Sequence, residues 1–295
     1  MKGNLIGPMV AIAAIAVLLV SVGVGLTQGA SSSSAPGTLS LTTQTVTPAE
    51  VGQVASSDTP AACGQAKIPL GAAGNFEVLA GTTVTNIGNT VVKGNLGVSH
   101  GSAVTGFPPG KVTGTIDKAN TAAANGQLAL TKAYDTAKGR SNCPIKVAGN
   151  IGGKTLTPGL YKSTSSLSIS SGDLTLTGPG VFVFQIASKF TVTSGRTVIL
   201  AGGAVAGNIY WQVGSSATLG TTSVVYGNIL ALKSISLATG ATLHGKALAR
   251  NGGVTLEGNK VNPVPASLTS SILVTVPHAA TFTRIGELSM RGFSY

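Results

Sequence analysis

The sequence predicts a mostly β protein, a β-solenoid with one long α-helix packed along it, and three observations support this fold. Only 9% of the 295 residues are charged and 4% are aromatic, while 41 are glycine, a composition typical of short strands and tight turns. Apolar residues make up 43%, which is enough to bury one sizeable core. Short strand-like segments recur about every 20 residues, as expected for stacked coils.

The first 30 residues predict export. Lys2 is followed by an apolar run from Met9 to Leu26, the pattern of a signal peptide. Cleavage could follow Gly25 or Ala30, but neither site is a good signal-peptidase site, so the alternative is an uncleaved membrane anchor formed by residues 5–26. Either outcome places the rest of the chain outside the cell, secreted or held at the cell surface.

Composition divides the remaining chain into three parts. Residues 31–62 are rich in Ser, Thr, Ala and Pro and predict a flexible linker. Residues 63–262 carry alternating apolar residues in short segments between Gly and Asn turns, and we expect them to form the solenoid domain. Residues 263–295 form a C-terminal tail that contains a strand-like stretch, SILVTVP, and we assign no function to it from the sequence.

One segment breaks the β pattern. Between Asp117 and Lys138 the chain is rich in alanine, and its apolar residues return to one face of a helix. Gly126 costs this helix roughly 1 kcal/mol relative to alanine, so we expect a weak point or a bend there. Gly139 is well placed to end the helix.

The strand-like segments share a motif, a small residue three positions before a threonine. Its copies are Ser102–Thr105, Gly172–Thr175, Ser194–Thr197, Ser215–Thr218, Thr239–Thr242 and Gly252–Thr255. A repeat of roughly 20 residues indicates a β-solenoid, in which each coil buries its inward Val, Ile and Leu against its neighbours. A β-sandwich stays an alternative, because the period is irregular.

Few residues could support catalysis or bind a metal. The acids of the predicted domain, Glu77, Asp117, Asp135, Asp173 and Glu257, do not cluster in sequence, and its histidines are far apart. We therefore expect no enzyme activity, no metal and no cofactor. In an exported chain the only two cysteines, Cys63 and Cys143, favour one disulfide over a zinc site, which needs about four ligands.

The segment from Gly97 to Gly101 fits the G-x-S-x-G pattern of serine hydrolases, with Ser99 at its centre. A nucleophile elbow needs a helix after the serine, whereas SAVTGFPPG follows here, so we reject this motif. The net charge of +11 arises from basic residues scattered singly. We interpret this charge as an aid to solubility and expect no nucleic-acid partner.

Stacked coils would align outward Thr and Ser side chains at about 4.8 Å intervals. Such a flat, nearly neutral array has a spacing comparable to the oxygen lattice of ice. Threonine also suits any exposed strand position, so the repeats alone favour a purely architectural role.

Ordered motifs over about residues 66–261 resemble the ice-binding-like domain family, also called DUF3494. They include Leu70–Phe76, Gly153–Tyr161, Trp211–Gly220 and Ala249–Leu256. The resemblance implies an irregular right-handed β-solenoid of triangular cross-section, a long helix alongside it and adsorption to ice by a monomeric domain. It also implies that Cys63 and Cys143 close a cap region around the helix.

The family's T-G/A-x-T/N ice-face motif is matched fully at Thr239–Thr242 and in part at two other repeats. We therefore expect ice to be bound by Thr83, Thr85, Asn86, Ser194, Thr197, Ser215, Ala217, Thr218, Thr239, Ala241, Thr242 and Thr255. Arg196 and Gly252 interrupt the repeats. The competing hypothesis is a cell-surface structural or adhesive solenoid, whose partner would be a polysaccharide or another cell.

Overall fold

The computed structural model describes residues 63–263, which form a β-solenoid with one long helix packed along it. The signal or anchor segment, the linker and nearly all of the C-terminal tail predicted above lie outside these residues. Within the described part, no helix has the length and hydropathy that crossing a membrane requires.

The described elements are twenty-five short strands, the helix α1 and two 3-10 turns at Gly71–Asn75 and Ala206–Asn208. Before the helix come β1 Phe76–Ala80, β2 Thr83–Ile87, β3 Val91–Val92, β4 Asn95–Val98, β5 Ala103–Thr105, β6 Lys111–Val112 and β7 Ile116–Lys118, followed by α1 Thr121–Lys138. After it come β8 Pro144–Lys146, β9 Gly149–Asn150, β10 Thr155–Leu156, β11 Gly159–Ser163, β12 Leu167–Ile169, β13 Leu174–Thr177, β14 Phe182–Ile186, β15 Phe190–Val192, β16 Val198–Ala201, β17 Ile209–Val213, β18 Ala217–Leu219, β19 Val224–Tyr226, β20 Asn228–Ala231, β21 Ile235–Leu237, β22 Thr242–His244, β23 Ala247–Ala249, β24 Val254–Glu257 and β25 Lys260–Asn262.

Each coil adds one strand in turn to three parallel sheets, as in a three-sided prism. The first sheet has nine strands in the order β7-β4-β1-β23-β20-β17-β14-β11-β8, and the second has eight in the order β5-β2-β24-β21-β18-β15-β12-β9. The third side consists of β10-β13-β16 and β19-β22-β25-β3-β6, which a bridge between Thr197 and Val224 connects. The predicted solenoid is confirmed. The sandwich alternative is excluded because all pairs among the described strands are parallel.

The order of the coils in space differs from their order in sequence. The N-terminal coil β1–β3 lies between the C-terminal coil β23–β25 and the coil β4–β6. At this seam the Lys246 ammonium contacts the Glu77 carboxylate at 2.5 Å and the Phe76 carbonyl at 3.1 Å, all buried. Helix α1 then carries the chain from β7 at one end of the stack to β8 at the other.

The helix begins at Thr121, four residues later than the sequence predicts. Ile116–Lys118 instead forms strand β7, and the chain turns at Ala119, whose φ is +47°. Asn120 caps the helix, because its Oδ1 accepts the Ala123 N–H at 3.0 Å. Lys138 is the last helical residue and Gly139 follows it, as expected.

Two layers of apolar residues form the core. Inside the prism, stacked rings of Tyr161, Phe184, Trp211 and Phe190 have centroids 4.1 to 5.1 Å apart. A second cluster, which includes Tyr134 of the helix, fills the space between α1 and the first sheet. The central strands β14 and β17 of the first sheet are therefore buried on both faces, whereas the second sheet and the third side present an outer face to solvent.

Cys63 and Cys143 form a disulfide with a Cα–Cα distance of 5.4 Å, which confirms the predicted pairing. The bond lies just beyond the C-terminus of α1. Gln65 Nε2 donates to the Asn142 carbonyl and Arg140 Nη2 donates to the Lys67 carbonyl in the same region. The start of the domain is thus attached to the end of its helix.

Candidate functional site

The centre of the second sheet carries a column of seven Thr or Ser side chains that ends in Asn150 on the edge strand β9, and we call it the hydroxyl column. Strand register places its members at equivalent positions on eight successive strands. They are Thr105, Thr85, Thr255, Ser236, Thr218, Thr191, Ser168 and Asn150. Parallel strands repeat at about 4.8 Å, so the column is a regular one-dimensional array.

Alternating burial shows that the column points outward. Thr255 lies between buried Val254 and Leu256, and the same alternation surrounds the column residues of β12, β15, β18 and β21. Because successive side chains of a strand point to opposite faces, the apolar neighbours fill the prism and the hydroxyls face solvent.

A second row of mostly small residues runs beside the column, two positions earlier in the chain than seven of its members and mostly just before the strands begin. Backbone hydrogen bonds continue the register to these positions. The row contains Ala103, Thr83, Gly253, Ser234, Ser216, Lys189 and Ser166. We call the column and this row together the hydroxyl face. Lys189 is its only charged member.

The opposite margin of the hydroxyl face is less uniform. Ile87 is 66% exposed there, and its register partner Glu257 accepts a hydrogen bond from the Thr239 hydroxyl at 3.2 Å. Charged side chains are thus absent from the column itself, which is regular and neutral along its described length.

The third side has a different surface. One outward row places Thr242 beside Lys260, with Lys111 two strands further on. In the adjacent row Tyr226 stacks on His244, with ring centroids 4.7 Å apart. Burial lowers the pKa of His244, and the charge of Lys93 lowers it further, which favours the neutral ring. This surface is aromatic and basic, and therefore lacks a uniform array.

The structure divides the twelve residues expected to bind ice. Thr83, Thr85, Thr218 and Thr255 lie on the hydroxyl face. Thr197 and Thr242 lie on the third side, whereas Ser194, Ser215 and Thr239 lie in the corner turns between sheets. Asn86, Ala217 and Ala241 are buried, with 5%, 1% and 0% exposure.

The expectation that the buried three face ice is wrong, and local geometry explains why. Asn86 turns inward and its Nδ2 donates to the Gly88 and Gly106 carbonyls, joining two coils. In the segment Thr239–Thr242, Gly240 turns the chain with a φ of +72°, and Ala241 then packs in the core at the corner. The motif therefore marks a bend between two sheets, and its two threonines do not share one face.

Sequence reasoning missed five members of the column, which are Thr105, Asn150, Ser168, Thr191 and Ser236. Most of them sit in triplets of the form apolar-Ser/Thr-apolar, such as Leu-Ser-Ile at 167–169 and Ile-Ser-Leu at 235–237. These triplets are visible in the sequence. The same pattern at Leu174–Leu176 belongs to the third side, however, so the triplet alone does not identify the sheet.

The residues considered for catalysis are held in separate places. Glu77 pairs with Lys246, Asp173 lies 3.6 Å from Arg196, and Glu257 accepts from Thr239. Ser99 follows β4 with no helix directly after it. Within residues 63–263, no three His, Cys, Asp or Glu side chains are grouped to hold a metal ion.

The fold and the face define a class of protein, a parallel β-solenoid whose candidate functional site is a regular array on the surface of one sheet. The model of the ice-binding-like family matches residues 78–262, and this chain belongs to that family. It is 48% identical over 200 residues to an ice-binding protein of Nostoc sp. (strain HG1), covering 65% of this chain and 73% of the relative.

Two further comparisons agree. The chain is 39% identical over 213 residues to an ice-binding protein of Flavobacterium frigoris (strain PS1), covering 66% of this chain and 75% of that protein. The crystal structure of an ice binding protein from an Antarctic biological consortium superposes with a TM-score of 0.67 at 53% identity, covering 68% of this chain and 92% of that one. The family and fold inferred from sequence motifs are confirmed.

Proposed function

We propose that this protein adsorbs to ice through the hydroxyl face of its second sheet and so inhibits ice growth and recrystallisation. The observation that carries this proposal is the unbroken column of Thr, Ser and Asn across eight strands. The proposal is supported by the family of the chain and by the names of its relatives.

The column matches what adsorption to a crystal surface requires. Each threonine presents a methyl group and a hydroxyl at a fixed height, because the buried residues on either side hold the strand. Water molecules held between the rows can therefore repeat with the strand spacing and merge with an ice lattice. A single contact of this kind is weak, whereas many contacts formed together make detachment rare, so adsorption needs no chemical turnover.

The second sheet suits this role better than the other two sides. Helix α1 covers the first sheet, whose long strands β14 and β17 are buried throughout. The third side carries Lys111 and Lys260 together with the stacked Tyr226 and His244. Charged groups hold their own hydration water and aromatic rings break the plane, so neither belongs in a lattice match.

We propose further that the domain acts outside the cell as a single copy. The disulfide between Cys63 and Cys143 suits an oxidising environment. The apolar N-terminal segment of the sequence agrees with export. No covalent step is needed, and we propose that the protein is not an enzyme.

A pair of tyrosine substitutions tests the assignment. Thr218 is exposed in the middle of the column, between Ser236 and Thr191, so Thr218→Tyr should lift the ice plane off the face. We expect the concentration needed to inhibit recrystallisation to rise by about tenfold. Thr242→Tyr places the same ring on the third side and should change this concentration by less than about twofold.

Circular dichroism would first establish that both variants fold. Loss of activity in Thr242→Tyr with retention in Thr218→Tyr would move the ice site to the third side. If the unaltered protein neither accumulates at an ice front nor shapes crystals at high concentration, the structural or adhesive hypothesis replaces the present one.

A further inference from the structure

A cleft opens between the C-terminal half of α1 and the first sheet, away from the hydroxyl column. Its volume is about 280 Å³, close to the lower size limit of small-molecule sites. Leu232 gives the cleft an apolar patch, and its polar lining side chains are Tyr134, Lys138, Lys162, Ser163, Gln185 and Gln212. Nothing in the adsorption to ice uses these residues.

The floor of the cleft is polar, buried and held in place. Gln185 is 4% exposed, and its Nε2 donates to the carbonyls of Ala137 at 2.8 Å, Lys138 at 3.0 Å and Arg140 at 2.8 Å. Gln212 is 3% exposed and hydrogen-bonds with the Tyr134 hydroxyl. Burial raises the pKa of Tyr134, so this hydroxyl remains a donor at neutral pH.

The rim carries positive charge without a partner. Lys138 and Lys162 are exposed, and Lys162 lies in strand register with Lys146 on the edge strand β8. Like charges side by side on adjacent strands repel each other. The ion pairs among residues 63–263 are Arg196–Asp173, Lys246–Glu77 and Arg250–Asp135, and they include none of these three lysines.

The carbonyls at the C-terminus of α1 do not pair with these lysines either. The last carbonyls of a helix are negative and commonly attract lysine side chains. Here the buried amide of Gln185 already donates to the carbonyls of Ala137 and Lys138, so the lysines are not needed to cap α1. Two cations therefore face an open cleft with neutral hydrogen-bonding groups on its floor.

We propose that this cleft binds an acidic sugar, with Lys138 and Lys162 holding the sugar carboxylate and with Tyr134 and Gln212 bonding its hydroxyls. Charge-assisted hydrogen bonds from the two ammonium groups supply most of the attraction. The amide and phenol groups on the floor match alcohol groups, which a simple inorganic anion does not have. Leu232 packs against the apolar face of the ring.

Titration of the ¹⁵N-labelled domain followed by NMR tests the site. We expect sodium glucuronate to shift the side-chain amide signals of Gln185 and Gln212 saturably, while glucose at the same concentration and ionic strength leaves them unchanged. Lys162→Gln should weaken glucuronate binding by about fivefold or more. Lys154→Gln, which removes an exposed lysine beside β10, serves as the matched control and should bind as the unaltered protein does.

Three results would overturn the proposal: no saturable shift with glucuronate, equal shifts with glucose, or equal affinity of the unaltered protein and both Lys138→Gln and Lys162→Gln. Sodium sulfate that binds as tightly as glucuronate would reduce the cleft to a simple anion site and would also overturn it. An oligogalacturonate that binds more tightly than the monosaccharide assigns the ligand to a polysaccharide, and equal affinities assign it to a free sugar acid. None of these measurements depends on ice activity.

Discussion

Thr85 and Thr255 lie side by side on β2 and β24, although they come from opposite ends of the domain sequence. Thr105 continues the hydroxyl column on β5. The hydroxyl column is therefore continuous across the seam where the first and last coils of the chain meet. The coils β1–β3 and β4–β6 together lengthen the column by two strands, β2 and β5, beyond the six that the coils after the helix supply.

Removing the one charge within the hydroxyl face should strengthen adsorption. Lys189 lies between Ser166 and Ser216 in the row beside the column. We expect Lys189→Ser to lower the concentration that inhibits recrystallisation by roughly twofold or more, because the row then becomes neutral throughout. Lys154→Ser, remote from this face, is the control. An unchanged value in both variants would place Lys189 outside the contact area.

The buried ion pair at the seam should be essential to stability. Lys246→Met leaves the Glu77 carboxylate buried without its partner, and we expect the free energy of unfolding to fall by about 3–5 kcal/mol. The double variant Lys246→Met/Glu77→Leu should recover much of this loss, since no unpaired charge remains. Chemical denaturation measures both. A single variant as stable as the unaltered domain would contradict this argument.

The disulfide should contribute through the unfolded state. Cys63 and Cys143 are 80 residues apart, so their bond closes a long loop. Cys63→Ser/Cys143→Ser should lower the free energy of unfolding by about 2–4 kcal/mol and leave the hydroxyl face intact. Calorimetry gives the stability, and ice recrystallisation measured well below the melting temperature gives the activity. If the variant loses much of its recrystallisation inhibition while it is still folded, the disulfide is needed for the geometry of the hydroxyl face.

Gly126 should be required for helix docking. A Cβ there would lie 2.9 Å from Cε2 of Phe76, although alanine is the better helix former. We expect Gly126→Ala to destabilise the domain by about 1–3 kcal/mol because the helix must move away from the sheet. The exposed neighbour Asn125 provides the control, since Asn125→Ala should change stability by less than about 0.5 kcal/mol. If Gly126→Ala instead stabilises the domain, the Phe76 ring must be able to shift and make room for the added methyl group.

The sequence allows the solenoid, the helix and the disulfide to be predicted because each depends on local or compositional rules. Alternation of apolar and hydroxyl residues predicts which side chains point outward, and it does so correctly for Thr85, Thr218 and Thr255. The position of Gly139 predicts the end of the helix. These signals need no knowledge of which strand pairs with which.

The hydroxyl face could not be predicted in full because it depends on which strand of each coil joins the second sheet. The coils differ in length, and the one that contains Ala206–Asn208 carries an extra turn, so a fixed period does not assign strands to sheets. The Thr239–Thr242 motif resembles a repeat of the ice-binding array, but its chain bends at Gly240. Likewise, nothing in the local sequence of β1 and β23 indicates that they are neighbours.

The inserted N-terminal coil also constrains how the molecule is completed. Strand β1 needs β4 on one side and β23 on the other, and β23 is among the last parts of the domain to be synthesised. During synthesis β1 therefore lacks its second neighbour until β23 has been made. A chain that ends before Lys246 leaves one edge of β1 and of β2 unpaired and Glu77 without its cation, so the closing coil completes both the sheets and the buried ion pair.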